Sequence, residues 1–379
     1  MDNILQPTVS TLEIFGIYYH SDKTRKSFIV YYRKSLILIF WVFFFLSIID
    51  LIFGIWTIFL IGDWSRVWRG YIVVCRIILS VLYFFCSWVL TYWPCNGKSM
   101  EKFNQIWHSR ELKAIEEAIK IKIYQHQCSI LLCMGYMYAI LVCLLPFLNT
   151  YYRIKHAMFN DADILAVFLI TILSLFSLGI CGYSVAYFTL LCRGLVEGFL
   201  AVSENIEHLR KSGRSVCILL LQDNIRQYQC LCQMVQLINK IFSRFVFVMY
   251  ITFLLISCLI YYLYLFLKGL HGLRIILLCL IIFFSAVISC SSLTAADVAQ
   301  AAYKPQSSIY RLIIYGKISP KEQIKMHTVM KGLMVNKVGI SCMDFFILTR
   351  NGILKVFTTL VSYVLILVQV QQLDIEEEC

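Results

Sequence analysis

Seven apolar runs divide the chain, at about 36–60, 68–92, 127–148, 164–191, 245–267, 273–296 and 352–372. A helix needs about 20 apolar residues to cross the hydrocarbon core of a bilayer. Each run meets or exceeds that length. Of the 379 residues, 60% are hydrophobic and only 15% charged, more apolar surface than a soluble domain can hide. The expected fold class is therefore all-α, a polytopic membrane protein with seven transmembrane helices. Residues 1–30 contain Asp2, Glu13, Asp22 and a basic cluster, unlike a cleavable signal peptide. The first run is then expected to act as an uncleaved targeting segment.

The net charge is +12, and its distribution gives the chain a direction. Of the 34 Lys and Arg residues, 27 fall on alternate connecting segments that share one side, the last of which extends to Lys355. Six fall on the other side, and Arg76 lies inside the second run. Positive residues favour the cytoplasm. The N-terminus is therefore expected inside and the C-terminus outside, as an odd number of spans requires. Topology already explains the basic segments, so no nucleic-acid partner is implied. Of the 16 cysteines, only Cys379 lies on the outer side, and no Asn-x-Ser/Thr sequon occurs. Outer-loop disulfides are thus excluded. Cys230 and Cys232 have no second pair or nearby His at zinc spacing, so no metal is expected.

No phosphate loop or His-Glu-x-x-His sequence is present, and the seven histidines are scattered. Clustered intramembrane ionisable residues, the sign of catalysis in a bilayer, are missing. Enzyme chemistry and cofactors are accordingly not expected. A G-protein-coupled receptor fits poorly, because that family keeps its N-terminus outside and carries an outer disulfide.

The segments between runs have their own order. Residues 1–34 form a cytoplasmic lead-in. Residues 35–300 form a six-helix region with inner helical extensions at about 101–126 and 195–244. Residues 301–350 read as anchor helices, with Ser319-Pro320-Lys321-Glu322 as a capping box opening a helix of about 320–335. The inner extensions are expected to pack into one bundle. Asp50 and Arg76 sit at similar depth in antiparallel neighbouring runs. An isolated intramembrane charge is costly, so mutual pairing is the favoured reading and a ligand contact the alternative.

The last run, 351–373, is apolar but carries a polar line. At about 3.6 residues per turn, Thr358 and Ser362 fall about 20° from Gln369, and Lys355 about 40°. Glu376 continues the line, with Gln372 at its edge, and Leu365 and Ile366 share the face. A spanning helix with a polar line wants water or polar partners there.

Ser362-Tyr363-Val-Leu-Ile-Leu-Val-Gln369-Val370 resembles the Thr-Tyr, five hydrophobic residues, Gln-Phe signature of insect gustatory receptors. Ser replaces Thr, and Val replaces Phe. Upstream, Gly339-Ile340-x-x-x-Asp344-x-x-Ile347-Leu348 is similar to that family's Gly-Leu-Phe-x-x-Asp-x-x-Leu-Leu stretch, with Ser341 in place of Phe. The resemblance implies a tastant-gated, nonselective cation channel in the plasma membrane of sensory dendrites. It also implies a homo- or hetero-tetramer of related subunits around a pore lined by the last span. Thr358, Ser362, Leu365, Ile366, Gln369 and Val370 are then pore residues. Leu365, Ile366 or Val370 form the apolar closure. Gln372, Asp374, Glu376, Glu377 and Glu378, the last four in an acidic tail at 374–379, form the outer mouth. The ligand is implied to sit in the outer half of the first six spans. Asp50, Trp56, Arg76, Tyr138, Asn149, Thr171 and Tyr262 are candidate contacts by depth. Family breadth leans toward a bitter or aversive tastant. A metabotropic receptor and an accessory subunit that conducts only beside a relative are the competing functions.

Overall fold

The structure is a computed structural model that describes residues 6–15, 17, 26–60, 66–93, 98–113, 115–117, 119–130, 135, 161–211, 218–266, 271–315, 324, 338–343 and 345–377. In chain order the helices are α1 (Gln6–Ile14), α2 (Lys26–Leu60), α3 (Arg66–Tyr92), α4 (Lys98–Trp107), α5 (Asp161–Lys211), α6 (Ile218–Phe266), α7 (His271–Tyr315) and α8 (Arg350–Glu377). Residues 119–130 are also helical. A single hairpin, β1 (Ser341–Cys342) with β2 (Phe346–Ile347), precedes α8. Most of the third apolar run lies outside the described residues, as does nearly all of the expected helix at 320–335.

Three helices are far longer than a membrane requires. α5 has 51 residues, α6 has 49 and α7 has 45. At about 1.5 Å per residue they reach roughly 70–75 Å, against about 30 Å of hydrocarbon. Their polar ends coincide: Glu204 to Lys211 closes α5, Gln222 to Gln227 opens α6, and Lys304 and Arg311 lie late in α7. These antiparallel helices thus project together from the side that holds the charge excess. In α5, α6 and α7 the span and its inner extension form one continuous helix. α7 even runs through Pro305, where a backbone donor is missing.

The core runs the length of these helices, with α5 at its centre. α5 packs along α7, and α6 packs on both. Near the inner boundary Trp93 closes against Tyr187, Phe242 and Phe245 with ring centroids 5.3–6.1 Å apart. In the projecting part the helices are joined by polar contacts. Gln306 donates to the Tyr228 hydroxyl at 2.9 Å, and the Ser203 and Ser308 hydroxyls meet at 3.0 Å. α4 lays Phe103 and Trp107, both buried, against α6.

Two features of the inner boundary explain themselves chemically. The Leu90 carbonyl near the end of α3 lacks its normal helical partner, because residue 94 is Pro and has no N–H. The Arg33 guanidinium supplies the missing donors at 3.2 and 2.7 Å. A cation there also suits a helix C-terminus. The lead-in is likewise part of the fold. α1 packs against α5, and its buried Thr8 accepts a 2.9 Å hydrogen bond from buried Gln127. The ring of Phe15 lies over Gly179, where any Cβ would collide with it, and stacks on Tyr183.

The last helix and its inner seat

α8 starts as helices with a threonine cap do. The Thr349 hydroxyl accepts the Gly352 N–H at 3.2 Å, satisfying a free donor of the first turn. Ile353 is buried. Beyond it no described side chain of α8 is buried, and Leu354, Val361, Tyr363, Leu365 and Ile366 are each more than half exposed. Among its described side chains the helix is thus bare beyond its first turn, and it runs about 36 Å further.

The polar line on α8 is partly self-satisfied. The Thr358 hydroxyl donates to the Leu354 carbonyl at 2.8 Å, and Ser362 to the Thr358 carbonyl at 2.9 Å. Such back-bonding lets hydroxyls sit in apolar surroundings. The demand for a polar environment thus rests on Gln369, whose amide is exposed. The side chains of Val370, Gln372, Asp374, Glu376 and Glu377 are outside the described residues, although the helix backbone continues through Glu377. Asp344 and Glu378 are outside them altogether.

The inner end of α8 is held by a seat that sequence reading assigned to anchor helices alone. β1 and β2 pair antiparallel, Ser341 with Ile347 and Cys342 with Phe346. Met343, at φ 45°, makes the turn. The hairpin lies on α6. The Asn239 amide donates to the Gly339 carbonyl at 2.7 Å and accepts the Ser341 N–H at 2.9 Å. One turn further along α6, the Ser243 hydroxyl accepts the Met343 N–H at 2.6 Å. Gly339 is squeezed between β2 and α7. A Cβ there would stand 2.7 Å from Ile347 Cγ2 and 3.1 Å from Ala299 Cβ. Finally, Arg350 in the first turn of α8 bonds Asp297 of α7 at 2.8 Å.

A second polar cluster lies in the projecting bundle. Glu197 of α5 is buried, its side chain 5% exposed, with Arg193 at 3.0 Å, Lys122 at 3.5 Å and His126 at 3.8 Å. Arg193 Nε donates to His126 Nε2 at 3.1 Å, which fixes a neutral imidazole with its proton on Nδ1. Burial lowers the His126 pKa, aided by the Arg193 guanidinium and opposed by the Glu197 carboxylate. Burial also pushes the Cys232 thiol up to about 11, so it stays protonated at neutral pH.

Of the candidate ligand contacts, Asp50 and Arg76 are paired as the favoured reading has it, Arg76 Nε to Asp50 Oδ2 at 2.9 Å. Arg76 also bonds the Asp50 backbone carbonyl at 3.1 Å. Trp56 is exposed on α2 beside Phe53. Tyr262 is half-buried on α6. The Thr171 side chain, Tyr138 and Asn149 lie outside the described residues. Asn239, Ser243 and Arg350 were missed as site residues. Nothing in their spacing marks them, because their partners lie 53 to 102 positions away.

Long helices that project together on one side, with a final helix none of whose described side chains is buried beyond its first turn, define the class: a seven-helix membrane fold of the insect chemoreceptor type. Residues 5–374 match the profile of the 7tm chemosensory receptors, and the chain belongs to that family. The fold is similar to the insect olfactory receptor OR5 from Machilis hrabei, with TM-score 0.77 at 12% identity over 97% of this chain and 98% of that one. It is equally similar to the same receptor in complex with eugenol, with TM-score 0.75 at 11% identity and the same coverage. No curated protein sequence matches.

Proposed function

We propose that this chemosensory receptor is a gustatory, ligand-gated, nonselective cation channel of the sensory-neuron plasma membrane, working as a tetramer. The observation that carries the reading is that no described α8 side chain after Ile353 is buried, with exposed Gln369 on its outer half. A lone helix of this kind leaves an amide in hydrocarbon. Four copies around an axis turn the Gln369 side inward to water and the apolar sides outward. Leu365, Ile366 and Val370 then close the resting pore by excluding water. A tastant bound in the outer half of the other spans favours the dilated arrangement by its higher affinity for that state. The acidic residues after Gln372 raise the local cation concentration at the mouth. That the similar olfactory receptor is in complex with eugenol supports a small organic ligand, and we assign a bitter or aversive one.

The test is expression in a heterologous cell and recording with caffeine, quinine, sucrose and eugenol. We expect current in excised patches bathed without nucleotides or soluble signalling proteins. Current that is present in intact cells and lost on excision contradicts the channel reading in favour of a metabotropic receptor. Silence alone with current on co-expression of a relative restricts the chain to an accessory subunit.

A further inference from the structure

Beyond Ile353, no described side chain of α8 is buried against its own chain, and among the described residues α8 packs mainly on α6 and α7. Within one subunit, movement in the first six spans therefore reaches α8 through the hairpin and the first helical turn. We propose that Asn239 and Asp297 are positioning residues: they hold that segment to α6 and α7 and form the joint through which binding in the bundle opens the pore. This rests on the channel reading above.

The geometry is specific to a joint between two helices. Asn239 uses both ends of its amide, as a neighbouring strand would, to bond Gly339 and Ser341. Ser243 adds a third point at Met343. A hairpin with two residues in each strand has no stability of its own, so these bonds to α6 determine its position. Asp297 ties the next turn to a different helix, α7, through Arg350. A shift of α6 against α7 then moves the hairpin against the first turn of α8 and tilts the helix beyond Ile353. Asn is required at 239 because Asp has no donor for the Gly339 carbonyl.

The full-length channel tests this with whichever of caffeine, quinine, sucrose or eugenol gives the largest wild-type current. Asn239→Asp and Arg350→Asp are each expected to lower open probability about tenfold, at unchanged single-channel conductance. The exchange Asp297→Arg with Arg350→Asp is expected to restore it. Asp297→Asn keeps the size of the side chain and is expected to give a smaller loss at normal surface expression, which covers the case in which the charge reversal fails to fold. A purely structural role would lower expression and leave the open probability of surviving channels intact. Wild-type open probability in Asn239→Asp and Asp297→Asn overturns the joint, as does failure of the exchanged pair to restore gating. A wild-type current that is present in intact cells and lost on patch excision overturns the channel reading and the joint with it.

Discussion

Glu197→Ala is expected to destabilise the folded protein by about 1.5–3 kcal/mol, the cost of removing a buried carboxylate from charged partners that are themselves partly exposed. The carboxylate is the single anion among Arg193, Lys122 and His126. Removing it leaves the Arg193 guanidinium half-buried and uncompensated. Glu197→Gln keeps the hydrogen-bond acceptor and is expected to lose less. Replacing Arg193 and Glu197 together by Met is expected to be milder than Glu197→Ala, because no charge is then stranded. Thermal unfolding of the detergent-solubilised protein, followed by loss of the folded-protein peak in size exclusion, measures all three. A Glu197→Ala melting curve that overlays the wild type contradicts the cluster's role. The pH dependence has a definite sign. His126 is held neutral and its pKa is lowered. Its contribution is therefore complete above the unfolded value of about 6.5 and is lost as pH falls through the folded value.

Gly339→Val is expected to abolish the agonist-evoked current of the proposed channel. The space beside Gly339 is already filled by Ile347 and Ala299, and forced overpacking costs about 1–3 kcal/mol. Here the strain has a direction. It pushes β2 off α7 and pulls the Gly339 carbonyl from the Asn239 amide, so the seat of α8 is lost. Gly339→Ala is expected to impair gating less. Adding Ile347→Ala to it removes the nearest colliding methyl and is expected to recover most of the current. Surface labelling beside current recording separates gating from folding. Normal current from Gly339→Val at normal surface level contradicts this reading.

The membrane architecture was legible because bilayer thickness and charge asymmetry act on runs of 20 residues or more. The Asp50–Arg76 pair was legible because only residues 61–65 separate α2 from α3 in the sequence, which limits their relative depth. The continuity of α5, α6 and α7 was readable only in part, since a helix that leaves the membrane changes composition without changing conformation. Three features were hidden for different physical reasons. Arg33 looks like any inner cation; its role depends on a carbonyl that Pro94 leaves without a partner. The hairpin at 341–347 is too short for alternation to show, and its position depends on Asn239 and Ser243, about 100 residues earlier. Glu197 did carry a signal, its i,i+4 spacing from Arg193, but burial is what gives it weight. Thr358 and Ser362 bond their own backbone, which leaves Gln369 as the residue that asks for a partner.

Gln369 is therefore where the pore assignment is most exposed to test. Channels carrying Ala, Glu or Lys at 369 are opened by the same agonist, and reversal potentials are recorded with different cations on the two sides. In the proposed tetrameric pore, four copies of a changed side chain at 369 alter the field that ions cross. The expected result is graded: Glu raises divalent relative to monovalent permeability, Lys suppresses cation conductance, and Ala changes conductance with little change in sign preference. Identical permeability ratios and conductances across wild type and all three substitutions would contradict a pore lined by α8.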